Sequence, residues 1–136
     1  MAHFTVEELC HGIIPTKEQE TNLKDLISKL HHIFEYYKDP IIVNRGLRTE
    51  MQNEAVGGVK NSPHLTGEAV DLDDKDFKVS IYLLNNLELL DRFGLYMENP
   101  FCTCSKDKMK NVNGKTYMNN WIHLQSRKAS KTVFLP

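Results

Sequence analysis

The strongest constraint on this chain is a block in which His64 and Asp71 stand seven residues apart, with Gly67 between them. A second histidine, His123, lies near the C-terminus in the apolar segment 121–124. Two imidazoles and one carboxylate, with a fourth position open to water, form the ligand set of a catalytic rather than a structural zinc ion. The pattern predicts that these two segments meet in the fold, although each residue alone is more often a core, cap or surface residue than a metal ligand.

The composition predicts one soluble domain spanning residues 1–136. A chain of 136 residues can bury a core without disulfides or oligomerisation. Its net charge of −1 gives no reason to expect nucleic-acid binding, and no segment approaches the roughly 18 apolar residues of a membrane span. No heptad pattern or long exposed apolar stripe is evident, so we expect a monomer.

The cysteines and the N-terminus both indicate a cytoplasmic site of synthesis. The three cysteines, Cys10, Cys102 and Cys104, cannot all pair within one chain, so we interpret them as ordinary thiols. No apolar run of signal-peptide length follows Met1. We therefore expect the chain to be made in the cytoplasm and to stay there unless something releases it.

Two helices are predicted from their N-terminal capping patterns. Thr5 and Glu8 have the spacing of a capping box, as do Thr16 and Gln19. The first helix should be short, and the second should continue until Asp39-Pro40 ends it. One face of this second helix is apolar and should pack on the core: Leu23, Leu26, Ile27, Leu30, Phe34 and Tyr37.

The middle of the chain predicts alternating short elements. Residues 41–43 are β-branched and predict a strand, residues 49–56 predict a helix closed by Gly57, and residues 57–66 predict a loop. Residues 77–90 have helical apolar spacing, and the positions expected to be buried are Phe77, Ile81, Leu84 and Leu87. A strand at residues 93–97 and a hairpin turn at Asn113-Gly114 are also predicted.

Two further strands should carry the candidate ligands. In residues 69–73 the alternation should bury Val70 and Leu72 and turn Asp71 to the opposite face. In residues 121–125 it should bury the aliphatic residues and present three side chains together: Trp121, His123 and Gln125. The basic residues of the last third, among them Arg127, Lys128 and Lys131, suit either an anionic polymer or a solvated face.

Several segments together resemble the zinc D-alanyl-D-alanine carboxypeptidase family, which also includes peptidoglycan endopeptidases of phage lysins. The segments are the opening 4–9, Gly46-Leu47-Arg48-Thr49, the block Ser62-x-His64-x-x-Gly67-x-Ala69-x-Asp71 and the closing Ile122-His123. The resemblance covers nearly the whole chain. It implies an α+β domain of the Hedgehog/DD-peptidase type, in which a small antiparallel sheet carries the zinc site and helices pack on its back.

The resemblance also implies roles for individual residues. His64, Asp71 and His123 would hold Zn²⁺, and Arg48 would grip a substrate carboxylate or stabilise the developing oxyanion. Gly67 would let the chain turn between two of the ligands. Further family positions that would bind substrate, orient other groups or form turns are Asn53, Ser62, Asn120 and Trp121.

The sequence departs from the family at the position of the general base. Related peptidases often carry an acidic residue three positions before the last histidine, whereas this chain has Asn120, whose amide cannot take up a proton in that role. Glu98, at the end of the predicted strand 93–97, is our first candidate for the base. Glu68 is less suitable, because strand alternation should turn it away from Asp71. Two other departures, Pro63 and Leu47, should only reshape the pocket.

Two functions therefore follow from the resemblance. The first is zinc-dependent hydrolysis of a peptide bond in peptidoglycan stem peptides or cross-links, by a protein that would fit a phage lysin released to the cell wall. The alternative, favoured by Asn120, is a catalytically weak or inactive zinc-binding module that binds the wall or forms part of a virion.

Overall fold

Five short strands form one sheet in the computed structural model, which describes residues 3–100 and 120–134. In spatial order they are β1 (Val43–Arg45), β2 (Ala69–Asp73), β4 (Trp121–Gln125), β3 (Tyr96–Glu98) and β5 (Val133–Phe134). The pairs β1–β2, β2–β4 and β3–β4 are antiparallel, and β3–β5 is parallel. The predicted α+β architecture is confirmed.

Five α-helices accompany the sheet in the described residues: α1 (Val6–Cys10), α2 (Lys17–Ile33), α3 (Glu50–Ala55), α4 (Lys78–Leu84) and α5 (Leu87–Phe93). A single 3-10 turn, Pro63–Thr66, lies within the segment predicted as a loop. No helix in residues 3–100 and 120–134 has the length and apolar character needed to cross a membrane.

Local capping explains where the first helices begin. The Thr5 hydroxyl accepts a hydrogen bond from the amide of Glu8 at 3.1 Å, which starts α1. At the start of α2, Thr16 and Gln19 each bond the other's backbone, as the capping box predicts. Thr49 begins α3 through the same reciprocal arrangement. All three predicted helix starts are confirmed.

One face of the sheet is covered by apolar packing against the helices. Val70, Leu72, Met97, Ile122 and Leu124 belong to the same buried cluster as the apolar face of α2. Full burial of a side chain of this size contributes roughly 1.5–3 kcal/mol relative to exposure. Because side chains alternate along a strand, this packing leaves the intervening residues of β2, β3 and β4 on the opposite face.

The long helix predicted at residues 77–90 is two helices. Phe77 adopts a left-handed conformation with φ of 63°, and α4 begins only after it. The break after Leu84 is stabilised by the Asn86 side-chain amide, which donates to the Tyr82 carbonyl at 2.7 Å. The predicted buried face is also wrong at Ile81, which is 51% exposed, because the side chains that turn inward are Val79, Ser80, Leu83 and Leu90.

Helix α2 ends six residues before the predicted stop at Asp39. The Tyr82 hydroxyl donates to the Ile33 carbonyl at 2.7 Å, and the Tyr37 amide bonds Phe34 instead of continuing the helix. Phe34 and Tyr37 are nevertheless buried, as predicted. The helix terminus is therefore set by a partner 49 residues away in the sequence.

Two strands are displaced from their predicted positions. The first is β1, at Val43–Arg45 rather than residues 41–43. Phe93 is the last residue of α5 rather than the start of a strand, because Gly94 caps that helix at φ of 73° and the strand β3 begins at Tyr96. The parallel strand β5 was not predicted. The hairpin at Asn113-Gly114 and the thiols of Cys102 and Cys104 lie outside the described residues, whereas Cys10 is a buried free thiol.

Candidate metal centre

The register of the sheet aligns the candidate site residues in one row. Asp71 on β2 lies directly opposite His123 on β4, and Arg45 on β1 lies opposite Asp71 from the other side. On the other side of β4, Tyr96 of β3 pairs with Gln125 and Met97 with Leu124. The next pair in this antiparallel register is Glu98 with His123. Directly opposite residues share a face of a sheet, so Asp71, His123 and Glu98 lie on the face away from the core.

His64 reaches this row from the 3-10 turn before β2. The Ser62 hydroxyl accepts from the His64 amide at 3.3 Å, and the His64 carbonyl accepts from the Arg48 amide at 3.0 Å. The His64 ring places Nδ1 2.8 Å from the Gly46 carbonyl oxygen. Because a carbonyl can only accept, Nδ1 donates to Gly46, and Nε2, 3.2 Å from Asp71 Oδ1, is the ring nitrogen left to face a metal ion.

Gly46 is required for this arrangement by a close backbone approach to α1. A Cβ at residue 46 would lie 2.2 Å from the Leu9 carbonyl oxygen. The same carbonyl accepts a hydrogen bond from the Leu47 amide at 2.8 Å. The glycine of the Gly46-Leu47-Arg48-Thr49 segment thus lets the chain pass α1 while its own carbonyl orients His64.

The three predicted ligands come together within the described residues. His123 Nδ1 lies 2.9 Å from Asp71 Oδ1, and the metal-binding atoms of His64, Asp71 and His123 all lie within 4.8 Å of one another. Two imidazole nitrogens and one carboxylate oxygen suit Zn²⁺, and the second nitrogen of each ring is occupied by a protein acceptor. This group could hold a metal ion.

The charges of the cluster are strongly coupled. Burial by itself would raise the pKa of Asp71, but hydrogen bonds and charge from His123 and His64 outweigh it and hold that pKa well below its usual range. Burial by itself would lower the pKa of His123, but the hydrogen bond and charge of Asp71 reverse this and raise it. Asp71 is therefore an anion over the whole physiological pH range, as a metal-binding carboxylate must be.

Arg48 approaches the cluster from the segment before α3. Its Nη1 donates to Asn53 Oδ1 at 2.9 Å, and its Nη2 lies 4.0 Å from Asp71 Oδ2. Nε is buried and has no hydrogen-bond partner among the described residues. Burial, partly offset by the charge of Asp71, lowers the pKa of the guanidinium. Arg48 thus brings a buried positive charge beside the ligands, with donor capacity left over.

Asn53 fixes that arginine from the first turns of α3. Its side-chain amide donates to the Val59 carbonyl at 2.7 Å, which leaves the oxygen to accept from Arg48. Gly58 makes room for the pair, because a Cβ there would lie 2.1 Å from Asn53 Oδ1. The predicted conformational role of Gly67 is likewise confirmed: its φ is 79°, and a Cβ would lie 2.8 Å from the Gln19 carbonyl oxygen.

Glu98 is half-buried at the end of β3. Burial raises the pKa of its carboxyl group, with the charge of His123 opposing the shift and that of Asp71 adding to it. Glu68, the weaker candidate, is engaged elsewhere. Its carboxylate accepts from the Thr66 hydroxyl and lies 3.1 Å from Arg127 Nη2.

Two other predicted positions lie at the β4 end of the site. Asn120 is exposed immediately before β4, and its carbonyl accepts from the Asp74 amide at 2.9 Å. Trp121 is half-buried opposite Asp73. The substrate-binding roles of both residues stay predictions.

Phe134 was missed by the sequence analysis. It lies edge-on to the His123 ring, with centroids 6.2 Å apart and planes at 86°, and it pairs with Glu98 in the β3–β5 register. The Phe134 ring therefore lies against one side of the His123 ring. No local signal marks it, because its position depends on the unpredicted parallel strand β5.

Comparison with known families agrees with this geometry. The model of the peptidase M15 family matches residues 2–105 of the chain. The chain belongs to the peptidase M15 family. That match includes His64 and Asp71 but ends before His123, whose membership of the metal centre rests on the sheet register and the distances above. The family resemblance seen in the sequence is confirmed.

Among solved structures, this M15 member is similar to the Serratia marcescens L-Ala D-Glu endopeptidase ChiX, at 20% sequence identity and a TM-score of 0.47. The alignment covers 85% of this chain and 91% of that one. Comparison with curated proteins found no match.

Proposed function

We propose that this M15 peptidase is a zinc metallopeptidase that hydrolyses a peptide bond in peptidoglycan stem peptides or cross-links. The observation that carries the proposal is the convergence of His64, Asp71 and His123, with their ligand atoms within 4.8 Å of one another. Membership of a peptidase family supports the reaction class. The ligand set supports zinc, since zinc prefers nitrogen and carboxylate ligands in this number when it is catalytic.

A bound zinc ion would supply Lewis acidity, which lowers the pKa of water toward about 7 and polarises the scissile carbonyl. The protein residues have separate roles around it. Asp71 supplies the negative ligand, and the acceptor carbonyl of Gly46 holds His64 in the tautomer that offers Nε2. The buried guanidinium of Arg48 donates to a substrate carboxylate or to the oxyanion that develops from the scissile carbonyl.

Glu98 is proposed as the general base in place of the missing acidic residue at position 120. Its carboxylate oxygen would accept a proton from the attacking water and later return it to the leaving amine nitrogen. Three features support this role: its register position opposite His123, its half-buried state and its raised pKa. A raised pKa makes a carboxylate a better proton acceptor at neutral pH.

Ser62, Asn53, Asn120 and Trp121 are proposed to support substrate binding in different ways. Ser62 and Asn53 act through the residues they orient, His64 and Arg48 respectively. Asn120 and Trp121, at the start of β4, are proposed to contact the substrate directly.

The test is hydrolysis of purified peptidoglycan by protein of known zinc content, with new amino termini identified by mass spectrometry. The zinc-loaded parent should release peptides, and chelation followed by zinc addition should abolish and restore this release. His123→Ala, which removes a ligand, should neither retain zinc nor cleave. A parent that cleaves equally well after complete removal of zinc would contradict the proposal.

A second function is favoured by Asn120: a zinc-binding module that keeps the fold and has lost the reaction. It predicts a parent that binds zinc and the wall without releasing peptides. In that case Asn120→Asp, which places a carboxylate three residues before His123, should restore cleavage. The same variant should have little effect if Glu98 already supplies the base.

A further inference from the structure

Gln125 contacts the metal centre from a position that the sequence assigns to no function. It lies two residues after His123 on β4, so both side chains are on the same face of the sheet. It is buried, with only 8% of its surface exposed. Its Oε1 lies 2.8 Å from His123 Nε2, and its Nε2 donates to the Arg127 carbonyl oxygen at 2.8 Å.

The second of these contacts fixes the orientation of the amide. A backbone carbonyl can only accept a hydrogen bond, so the amino group of Gln125 must face Arg127. Its oxygen must then face the ring of His123. Because that oxygen can only accept, His123 Nε2 is the nitrogen that carries a proton.

This chain of donors and acceptors determines which His123 nitrogen is available as a ligand. With the Nε2 proton held by Gln125, Nδ1, which lies 2.9 Å from Asp71 Oδ1, is the nitrogen that can offer its lone pair to a metal ion once its own proton is released. The His64 ring has the opposite orientation: its Nδ1 faces Gly46 and its Nε2 faces Asp71. The two histidines therefore offer different nitrogens, each selected by its own acceptor.

We propose that Gln125 is a positioning residue that holds His123 in the Nε2–H tautomer and so presents Nδ1 to the metal. This inference rests on the proposed metal-dependent function. Acceptors that hold the second nitrogen of a metal-binding histidine typically change metal affinity by about 10-fold to 100-fold when they are removed.

Two substitutions separate tautomer selection from packing. Gln125→Met keeps the length and volume of the side chain but removes the acceptor, and it should weaken zinc binding about 10-fold to 100-fold in competition with a chelating dye. Gln125→Glu keeps an oxygen facing the ring but loses the donor to Arg127, and it should bind zinc within about threefold of the parent. If only packing mattered, both variants should bind zinc like the parent, because each keeps the length and approximate volume of the side chain.

A spectroscopic measurement on the parent tests the inference without any substitution. In two-dimensional ¹⁵N–¹H spectra of the zinc-loaded protein, His123 should show a protonated Nε2 and a metal-shifted Nδ1. A His123 that coordinates through Nε2 would overturn the inference, as would Gln125→Met with zinc affinity within about twofold of the parent. Equal losses in the methionine and glutamate variants would also overturn it. A parent that binds no zinc would contradict both this inference and the proposed function, whereas the other outcomes leave the proposed function intact.

Discussion

At the scale of single residues, two acceptors prepare the histidines for a metal ion. The Gly46 carbonyl and the Gln125 amide each occupy one ring nitrogen and direct the other toward Asp71. Asp71 remains ionised because its partners stabilise the anion more than burial destabilises it. The metal centre is thus preorganised by neutral hydrogen-bonding groups around one negative charge.

Arg48 should affect catalysis rather than metal binding. Arg48→Lys keeps the charge but loses the planar guanidinium, which contacts Asn53 through one nitrogen and approaches Asp71 through another. We therefore expect kcat/KM for wall peptides to fall about 100-fold. Zinc affinity should change little, since Arg48 supplies no ligand. The matched control is Arg92→Lys on the exposed surface of α5, with both constants measured for both variants. A loss of zinc binding equal to the loss of activity would contradict this separation.

The three candidate ligands could be identified from the sequence, whereas the residues that orient them could be identified only in part. His64 and Asp71 are close in sequence and His123 has a recognisable flanking pattern, so spacing and family resemblance were enough. Gln125 was correctly placed on the face of His123, but its contact depends on the Arg127 carbonyl two residues beyond it. Arg127 itself was indistinguishable from the other basic residues of the last third.

At the scale of elements, Arg127 joins the end of β4 to the loop that carries His64. Its guanidinium donates to the Asn61 carbonyl, to the Thr66 hydroxyl at 3.0 Å and to Glu68 at 3.1 Å. The contacts span about 60 residues of sequence. They hold the 3-10 turn against the strand that supplies His123.

Removal of the Arg127 hydrogen bonds should increase the mobility of the loop that carries His64. Arg127→Met keeps the aliphatic stem but loses the donors, so the amides of Leu65 and Glu68 should exchange with deuterium at least about 10-fold faster. Lys128→Met, a loss of charge at the exposed neighbouring position, should leave these rates unchanged. Identical exchange in the parent and Arg127→Met would show that other contacts hold the loop.

The junction between α2 and the N-terminal segment should respond to pH. His31 Nε2 accepts from the Phe4 amide at 3.1 Å, and the His31 ring stacks on His3. Burial, with the nearby charges of His3 and His32, lowers the pKa of His31 from its ordinary value of 6.5. Below about pH 6.5 the unfolded chain therefore binds more protons than the native one, and His31 makes stability fall as the pH falls toward its folded pKa.

The measurement is the free energy of unfolding in urea between about pH 5 and pH 7. His31→Gln keeps a side chain that can accept from Phe4 but cannot titrate, so its stability should fall less than that of the parent as the pH is lowered. Comparison of the two proteins cancels the contribution of His64 and His123, which are present in both. Parallel curves would contradict the role given to His31.

Sequence patterns identified those elements whose signals are local. The N-caps at Thr5 and Thr16 and the alternation of β2 and β4 each depend on residues within a few positions of one another. The end of α2, the break between α4 and α5 and the pairing of β5 depend on partners elsewhere, such as Tyr82 for Ile33. These are the elements whose predicted bounds were wrong or that were not predicted.

At the scale of the whole molecule, one sheet serves two purposes. Its apolar face packs on the helices and supplies the core, and its polar face aligns Asp71, His123 and Glu98 across three adjacent strands. Strand β4 lies at the centre of this row, so the C-terminal part of the chain completes a site whose first residue, His64, lies 59 positions before His123. A one-residue slip in the register of β4 would turn His123 toward the core and disrupt the site.

The most direct test of the account is the hydrolysis of purified peptidoglycan by Glu98→Gln and the parent at equal, measured zinc occupancy. We expect the parent to cleave and Glu98→Gln to bind zinc normally but to cleave about 100-fold to 10,000-fold more slowly, with exposed Glu88→Gln on α5 unaffected. Cleavage by Glu98→Gln within about threefold of the parent rate would contradict the assignment of the base. An inert, fully zinc-loaded parent would contradict the proposed peptidase and favour the binding module.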